Sequence, residues 1–237
     1  MPSVMRAVGL IGGMSWESTA VYYRLLNQGV AQRLGGLHRA ALLMHSVDFA
    51  TVAALQTAAD WPGAARLLAQ AGLGLQRAGA QGLVLATNTM HKVADQIEQG
   101  AGLPLLHIAD ATGQALQAAG VQHAALLGTR FTMEDDSIVR ARLEQRFGLN
   151  VSVPDVEDRA LMHRVIYEEL VRGLVQAPSR DAVVALIDRQ RLRGAQAVIL
   201  GCTEIGLLID AHCSPLPVFD TTVLHAASAV DWMLETR

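Results

Sequence analysis

Residues 79–87 read Gly79-Ala80-Gln81-Gly82-Leu83-Val84-Leu85-Ala86-Thr87, and residues 194–202 read Gly194-Ala195-Gln196-Ala197-Val198-Ile199-Leu200-Gly201-Cys202. A single shift of 115 residues carries the first stretch onto the second. The same shift carries Gly13, which follows Val8-Gly9-Leu10-Ile11-Gly12, onto Gly128, which follows Ala124-Ala125-Leu126-Leu127. Two separate landmarks on one offset point to an internal repeat rather than to two chance strands. Each stretch is a continuous apolar run of strand length bounded by small residues, the pattern of a strand buried on both faces.

The neighbouring sequence repeats this theme. After Gly12-Gly13 a helical period opens near Ser15 and runs through Tyr22, Tyr23, Leu25 and Leu26. Residues 60–78 form a second helical segment, stopped by Gly79. Further strand candidates are 40–45, 105–108, 151–153 and 217–219. Apolar strands alternating with helices define an α/β fold of mostly parallel sheet. The expectation is two similar α/β domains related by a pseudo-twofold, with the active site in the cleft between them. Residues 1–104 with 222–237 would form the first domain and 105–221 the second. In such sheets ligands bind beyond the C-terminal strand ends, and Thr87 and Cys202 both fall there.

Composition narrows the function classes. The 237 residues carry a net charge of −3 and no basic stripe, which argues against a nucleic-acid partner. No apolar run reaches the roughly 18 residues of a membrane span. The start, Met1-Pro2-Ser3-Val4-Met5-Arg6, leads directly into a strand without a cleavage-site pattern and reads as lacking a signal peptide. Two cysteines make no disulfide framework, so a cytoplasmic location is expected. Lys92 is the only lysine, leaving a single candidate for a pyridoxal phosphate Schiff base and making that cofactor a poor fit. No two histidines among His45, His91, His107, His163 and His225 have zinc-motif spacing, and neither metal nor cofactor is expected.

Two polar clusters remain. Cys202-Thr203-Glu204 follows one repeat strand, where a thiol near a helix N-terminus can have a lowered pKa. Thr87-Asn88-Thr89, before Met90-His91, follows the other and would either cap the next helix or present amides to a carboxylate. Gly12-Gly13-Met14-Ser15 offers a similar anion-holding turn, although it lacks a dinucleotide fingerprint. Cys213 sits in a loop composition and is read as incidental.

The segments Gly12-Gly13-Met14-Ser15-Trp16-Glu17-Ser18-Thr19 with Tyr22-Tyr23, Thr87-Asn88-Thr89-Met90-His91 and Gly201-Cys202-Thr203-Glu204 resemble the aspartate/glutamate racemase family. Ser46-Val47-Asp48-Phe49, Ile166-Tyr167-Glu168-Glu169-Leu170 and Pro217-Val218-Phe219-Asp220-Thr221 are similar as well, so the likeness spans the chain. It implies a cofactor-independent amino-acid racemase, usually a homodimer, with a cysteine from each domain on opposite faces of the substrate Cα. This chain departs at one cysteine, where Thr87 stands, as in a subgroup acting on L-aspartate and L-glutamate. The resemblance then makes Cys202 the base and Thr87 the opposite-face proton donor. Met14, Gln56, Asn88, Thr89, Thr203 and Glu204 become the substrate contacts, and the sequence does not decide whether Glu204 orients the ammonium or the thiol. Hydantoin racemisation, maleate isomerisation and malonate decarboxylation use the same scaffold, and a non-catalytic amino-acid-binding protein would also retain these segments.

Overall fold

The computed structural model describes residues 5–133 and 137–235. Residues 1–4, where the signal-peptide reading begins, lie outside the described residues. The chain divides into two compact units, Met1–His107 with His225–Arg237, and Ile108–Leu224. These divisions fall three residues beyond the positions the sequence suggests. Residues 105 and 106 stay with the first unit because they pair with its sheet.

In the first unit, β1 (Val8–Gly12), β2 (Leu42–Ser46), β3 (Gly82–Leu85) and β4 (Leu105–Leu106) form a parallel sheet in the order β2-β1-β3-β4. In the second, β5 (His123–Leu127), β6 (Asn150–Ser152), β7 (Ala197–Leu200) and β8 (Val218–Asp220) form a parallel sheet in the order β6-β5-β7-β8. The 115-residue shift maps β1 onto β5 and β3 onto β7, residue for residue. The outer strands do not keep it, since β6 begins 108 residues after β2 and β8 begins 113 after β4.

The repeated Gly-Ala-Gln has a physical job in both units. Gly79 (φ +107°) and Gly194 (φ +94°) let the chain leave a helix in a backbone region that side chains disfavour. Ala80 N–H then returns to Leu75 O (3.0 Å), and Ala195 N–H to Gln190 O (3.1 Å). The Gln81 Oε1 accepts from Ala7 N–H (3.0 Å), and the Gln196 Oε1 from Gln122 N–H (2.8 Å), at the entrance of each central strand. One tripeptide thus ends a helix, turns, and joins two parallel strands at their start.

Both faces of each sheet are covered, as the unbroken apolar strands require. Ile11, Leu83 and Leu85 pack with Leu68 and Ile97 on one face of the first sheet. Val8, Leu10 and Val84 pack with Tyr22, Leu26 and the Val230 of the last helix (Thr221–Leu234) on the other. In the second unit Leu127, Val198 and Leu200 face Ile187, while Leu126 and Ile199 face Leu116 and Leu143. Complete burial of such side chains contributes roughly 1.5–3 kcal/mol each. The expected 105–108 strand is shorter than its apolar run, since a helix already begins at Ile108 (Ile108–Ala118). Its pairing extends only over Leu83↔Leu105 and Val84↔Leu106.

Candidate active site

The eight anticipated site residues divide between the units. Met14, Gln56, Thr87, Asn88 and Thr89 belong to the first unit, and Cys202, Thr203 and Glu204 to the second.

In the first unit, Thr87 lies just past β3, buried, with its N–H bonded back to Leu85 O at 2.8 Å. The chain then turns through a 3-10 helix, Thr89–Val93, before the α-helix Ala94–Ala101. Asn88 is buried and does not cap through its side chain, so the anticipated capping role is replaced. The tie comes instead from His91, whose Nδ1 donates to the Thr87 carbonyl at 2.7 Å. Gln56, buried in the helix Phe49–Thr57, places its Nε2 3.0 Å from Met90 Sδ. Met14 packs in the same core as Met90 and Val52. Met14, Gln56 and the Thr87–Met90 turn are therefore gathered at one end of the sheet.

In the Gly13 turn part of the amide set is already bonded within the chain. Gly13 N–H donates to Thr19 Oγ1 (2.8 Å), and the Ser15 Oγ accepts from Ser18 N–H as the cap of the helix Trp16–Leu34. Two amides are thus engaged by the chain's own hydroxyls. A Cβ at Gly13 would collide with the Val47 backbone, which explains the glycine by close approach.

In the second unit, Cys202, Thr203 and Glu204 are all buried beyond β7. The thiol donates to Glu204 Oε2 at 2.8 Å, and Thr203 Oγ1 donates to the same oxygen at 2.9 Å. Between the two readings of Glu204 left open by the sequence, the geometry joins it to the thiol. The lowered thiol pKa expected from a helix N-terminus is overturned. Burial first, and then the Glu204 charge, push the Cys202 thiol well above its ordinary value, with Asp220 adding to the effect. The following helix is a single 3-10 turn, Ile205–Leu207, too short to offset them.

Tyr167 was not assigned a role by the sequence, although its segment was singled out. It sits on a π-helical turn, Val165–Glu169, with its ring 4.5 Å from that of His163. Burial raises its pKa first, electrostatic coupling to Cys202 and Glu204 raises it further, and Arg130 opposes. No local pattern signals this, because the tyrosine reaches the thiol's surroundings only through the fold. The histidines, scattered in sequence, also converge. His91, His107 and His225 are buried together, with ring centroids 4.6 Å (His91–His107) and 5.7 Å (His91–His225) apart. Among the described residues no group of three or more His, Cys, Asp or Glu is arranged to hold a metal. Cys202 and Cys213 are both free thiols.

The second unit presents a thiol–carboxylate pair past β7, and the first a buried threonine at the equivalent strand end past β3. The sequence pattern described as Asp/Glu/Hydantoin racemase matches residues 11–229. A Yersinia pestis protein whose crystal structure carries a provisional Asp/Glu racemase label is 50% identical, covering 98% of this chain and 100% of its own, at a TM-score of 0.91. An aspartate racemase homologue from Pyrococcus horikoshii OT3 is 31% identical, covering 98% and 100%, at a TM-score of 0.83. The broad specificity amino-acid racemase RacX of Bacillus subtilis (strain 168) is 24% identical over 163 residues, 68% of each chain. The chain belongs to the Asp/Glu/hydantoin racemase family, and it is an amino-acid racemase.

Proposed function

We propose that the chain racemises L-aspartate or L-glutamate by removing the α-proton with Cys202 and returning one to the opposite face from Thr87. The observation that carries this reading is the Cys202–Glu204 hydrogen bond. A thiol held protonated by burial is a poor base unless its proton has somewhere to go, and Glu204 Oε2 lies 2.8 Å from the sulfur. Transfer to Glu204 produces the thiolate, which then takes the α-proton as a general base. Thr87, at the matching strand end, donates its hydroxyl proton to the carbanion. One inversion leaves the Cys202 side with an extra proton and the Thr87 side one short, so both exchange with water before the next L-substrate.

Met14, Gln56, Asn88, Thr89 and Thr203 contact the substrate in this reading, their amides and hydroxyls meeting its carboxylates. The aspartate racemase homologue, similar over nearly the whole chain, favours an acidic amino acid. No cofactor is required. The single lysine lies with its ammonium 4.5 Å from the Trp61 ring, in a cation–π contact. A homodimer is supported by an apolar surface on the first unit, where Trp16, Tyr23 and Met44 stand more than half exposed around a cavity of about 360 Å³. Free thiols support a reducing, cytoplasmic setting, and no helix among the described residues is long and apolar enough to cross a membrane.

The test is deuterium uptake at Cα in heavy water with chiral analysis of the products. L-aspartate or L-glutamate is expected to exchange faster than its D-form, because a hydroxyl is a far weaker base than a thiolate. Cys202→Ser is expected to lose about 10³-fold in exchange from the L-form. Equal rates from both enantiomers, or full activity in Cys202→Ser, would sink the assignment.

A further inference from the structure

We infer that His91 is a positioning residue for proton delivery, setting the Thr87 hydroxyl through the bond from its Nδ1–H to the Thr87 carbonyl. The inference rests on the reading of Thr87 as donor. Thr87 has left the strand ladder, with its N–H turned back to Leu85 O. The orientation of its peptide therefore depends on what holds its carbonyl. His91 holds it at 2.7 Å, and a carbonyl oxygen carries no proton, so Nδ1 must be the donor. The same backbone turn is closed by His91 N–H donating to Asn88 O at 3.0 Å.

The imidazole is itself fixed from several segments. Its ring packs against His107 and His225. His225 in turn donates from Nε2 to Leu106 O (2.7 Å) and accepts at Nδ1 from the Tyr22 hydroxyl (2.9 Å). Burial, followed by the neighbouring His107 and His225, pushes the His91 pKa well below the ordinary histidine value and outweighs the opposing hydrogen bonds to the Thr87 and Leu106 backbone, so the ring stays neutral. An apolar side chain would fill this interior with less desolvation cost. Three polar rings here serve geometry, since a shift of about 1 Å at a reacting group can cost roughly 10²-fold in rate.

The experiment compares two outcomes of L-substrate in heavy water, namely inversion to the D-form and deuterium washed into the recovered L-form. Inversion needs Thr87, whereas exchange within the L-form needs only the Cys202 side. His91→Leu removes the donor and is expected to slow inversion at least about tenfold, with exchange in the L-form changed less than about threefold. His91→Asn places an amide N–H near the Nδ1 position and should restore inversion, while His91→Gln should not. That pair carries the test if His91→Leu does not fold, as judged by circular dichroism. A parallel loss of inversion and exchange, unchanged inversion in His91→Leu or His91→Gln, or failure of His91→Asn to rescue would overturn the inference. Thr87→Ala separates the two levels. Normal inversion in Thr87→Ala removes the donor reading and His91 with it. Lost inversion there, with normal inversion in the His91 variants, removes His91 alone.

Discussion

The strand ends at Thr87 and Cys202 start from the same backbone device and finish in opposite electrostatic surroundings. Both follow Gly-Ala-Gln and a four-residue central strand, β3 or β7, related by 115 residues. Beyond Cys202, burial together with the carboxyls of buried Glu204 and half-buried Asp220 holds a proton on the sulfur. Beyond Thr87 the neighbours are histidines kept neutral by burial, with His91 on the Thr87 carbonyl. Duplication of a fold thus gives equivalent places, and neighbours both near in sequence and brought back by the fold give each place its own surroundings. An acceptor lies beside the thiol at one end, and at the other a neutral imidazole holds the carbonyl of the proposed donor, Thr87.

The largest effect should come from Glu204→Gln, which attacks the carboxylate side. Losing the negative charge makes the thiolate easier to form, so the Cys202 pKa should fall in an ultraviolet thiolate titration. Losing the acceptor should nevertheless lower kcat by about 10³-fold. Unchanged kcat would make Glu204 a bystander and dissolve the contrast between the two ends.

Next comes the histidine side. Burial lowers the His225 pKa to about 4 from an ordinary histidine value of 6.5, so the unfolded chain binds the proton first as pH falls. The resulting stability is fully present above pH 6.5 and is lost progressively down to about pH 4, a loss of about 3 kcal/mol. Urea unfolding across that range should show it, and His225→Gln, which keeps a donor near Nε2 without titrating, should flatten the slope. An equally steep slope in His225→Gln would remove the proposed origin.

The smallest effect sharpens the likeness itself. Gly79→Ala and Gly194→Ala each force a side chain into positive φ where no neighbour crowds closer than 3.9 Å. Both should destabilise by about 1–2 kcal/mol, and by similar amounts. Unequal losses in thermal unfolding would mean that the two turns bear different loads.

Much of this architecture can be read locally. Strand and helix alternate because apolar periods and Gly stops are written within a few residues of each other, and the central strands keep a common offset for the same reason. The edges were harder, since the short β4 pairing and the early helix at Ile108 depend on what lies alongside. Thr87 and Cys202 could be singled out because they stand at strand ends in matching stretches. Their acidities could not, because burial and charge come from neighbours the chain brings back. Tyr22, His91, His107 and His225 are far apart in sequence and meet only in the folded first unit. Tyr167 approaches the electrostatic surroundings of Cys202 from a turn 35 residues away in sequence.

The sequence by itself therefore determined the two parallel α/β units, their repeat, and the family's three polar segments, since hydrophobic period and turn chemistry are short-range properties. Only the tertiary structure decided that Glu204 holds the Cys202 proton, that the thiol pKa is raised rather than lowered, and that His91 is the residue gripping Thr87. Those outcomes depend on distance, desolvation and hydrogen-bond geometry, which exist only once remote segments are packed against one another.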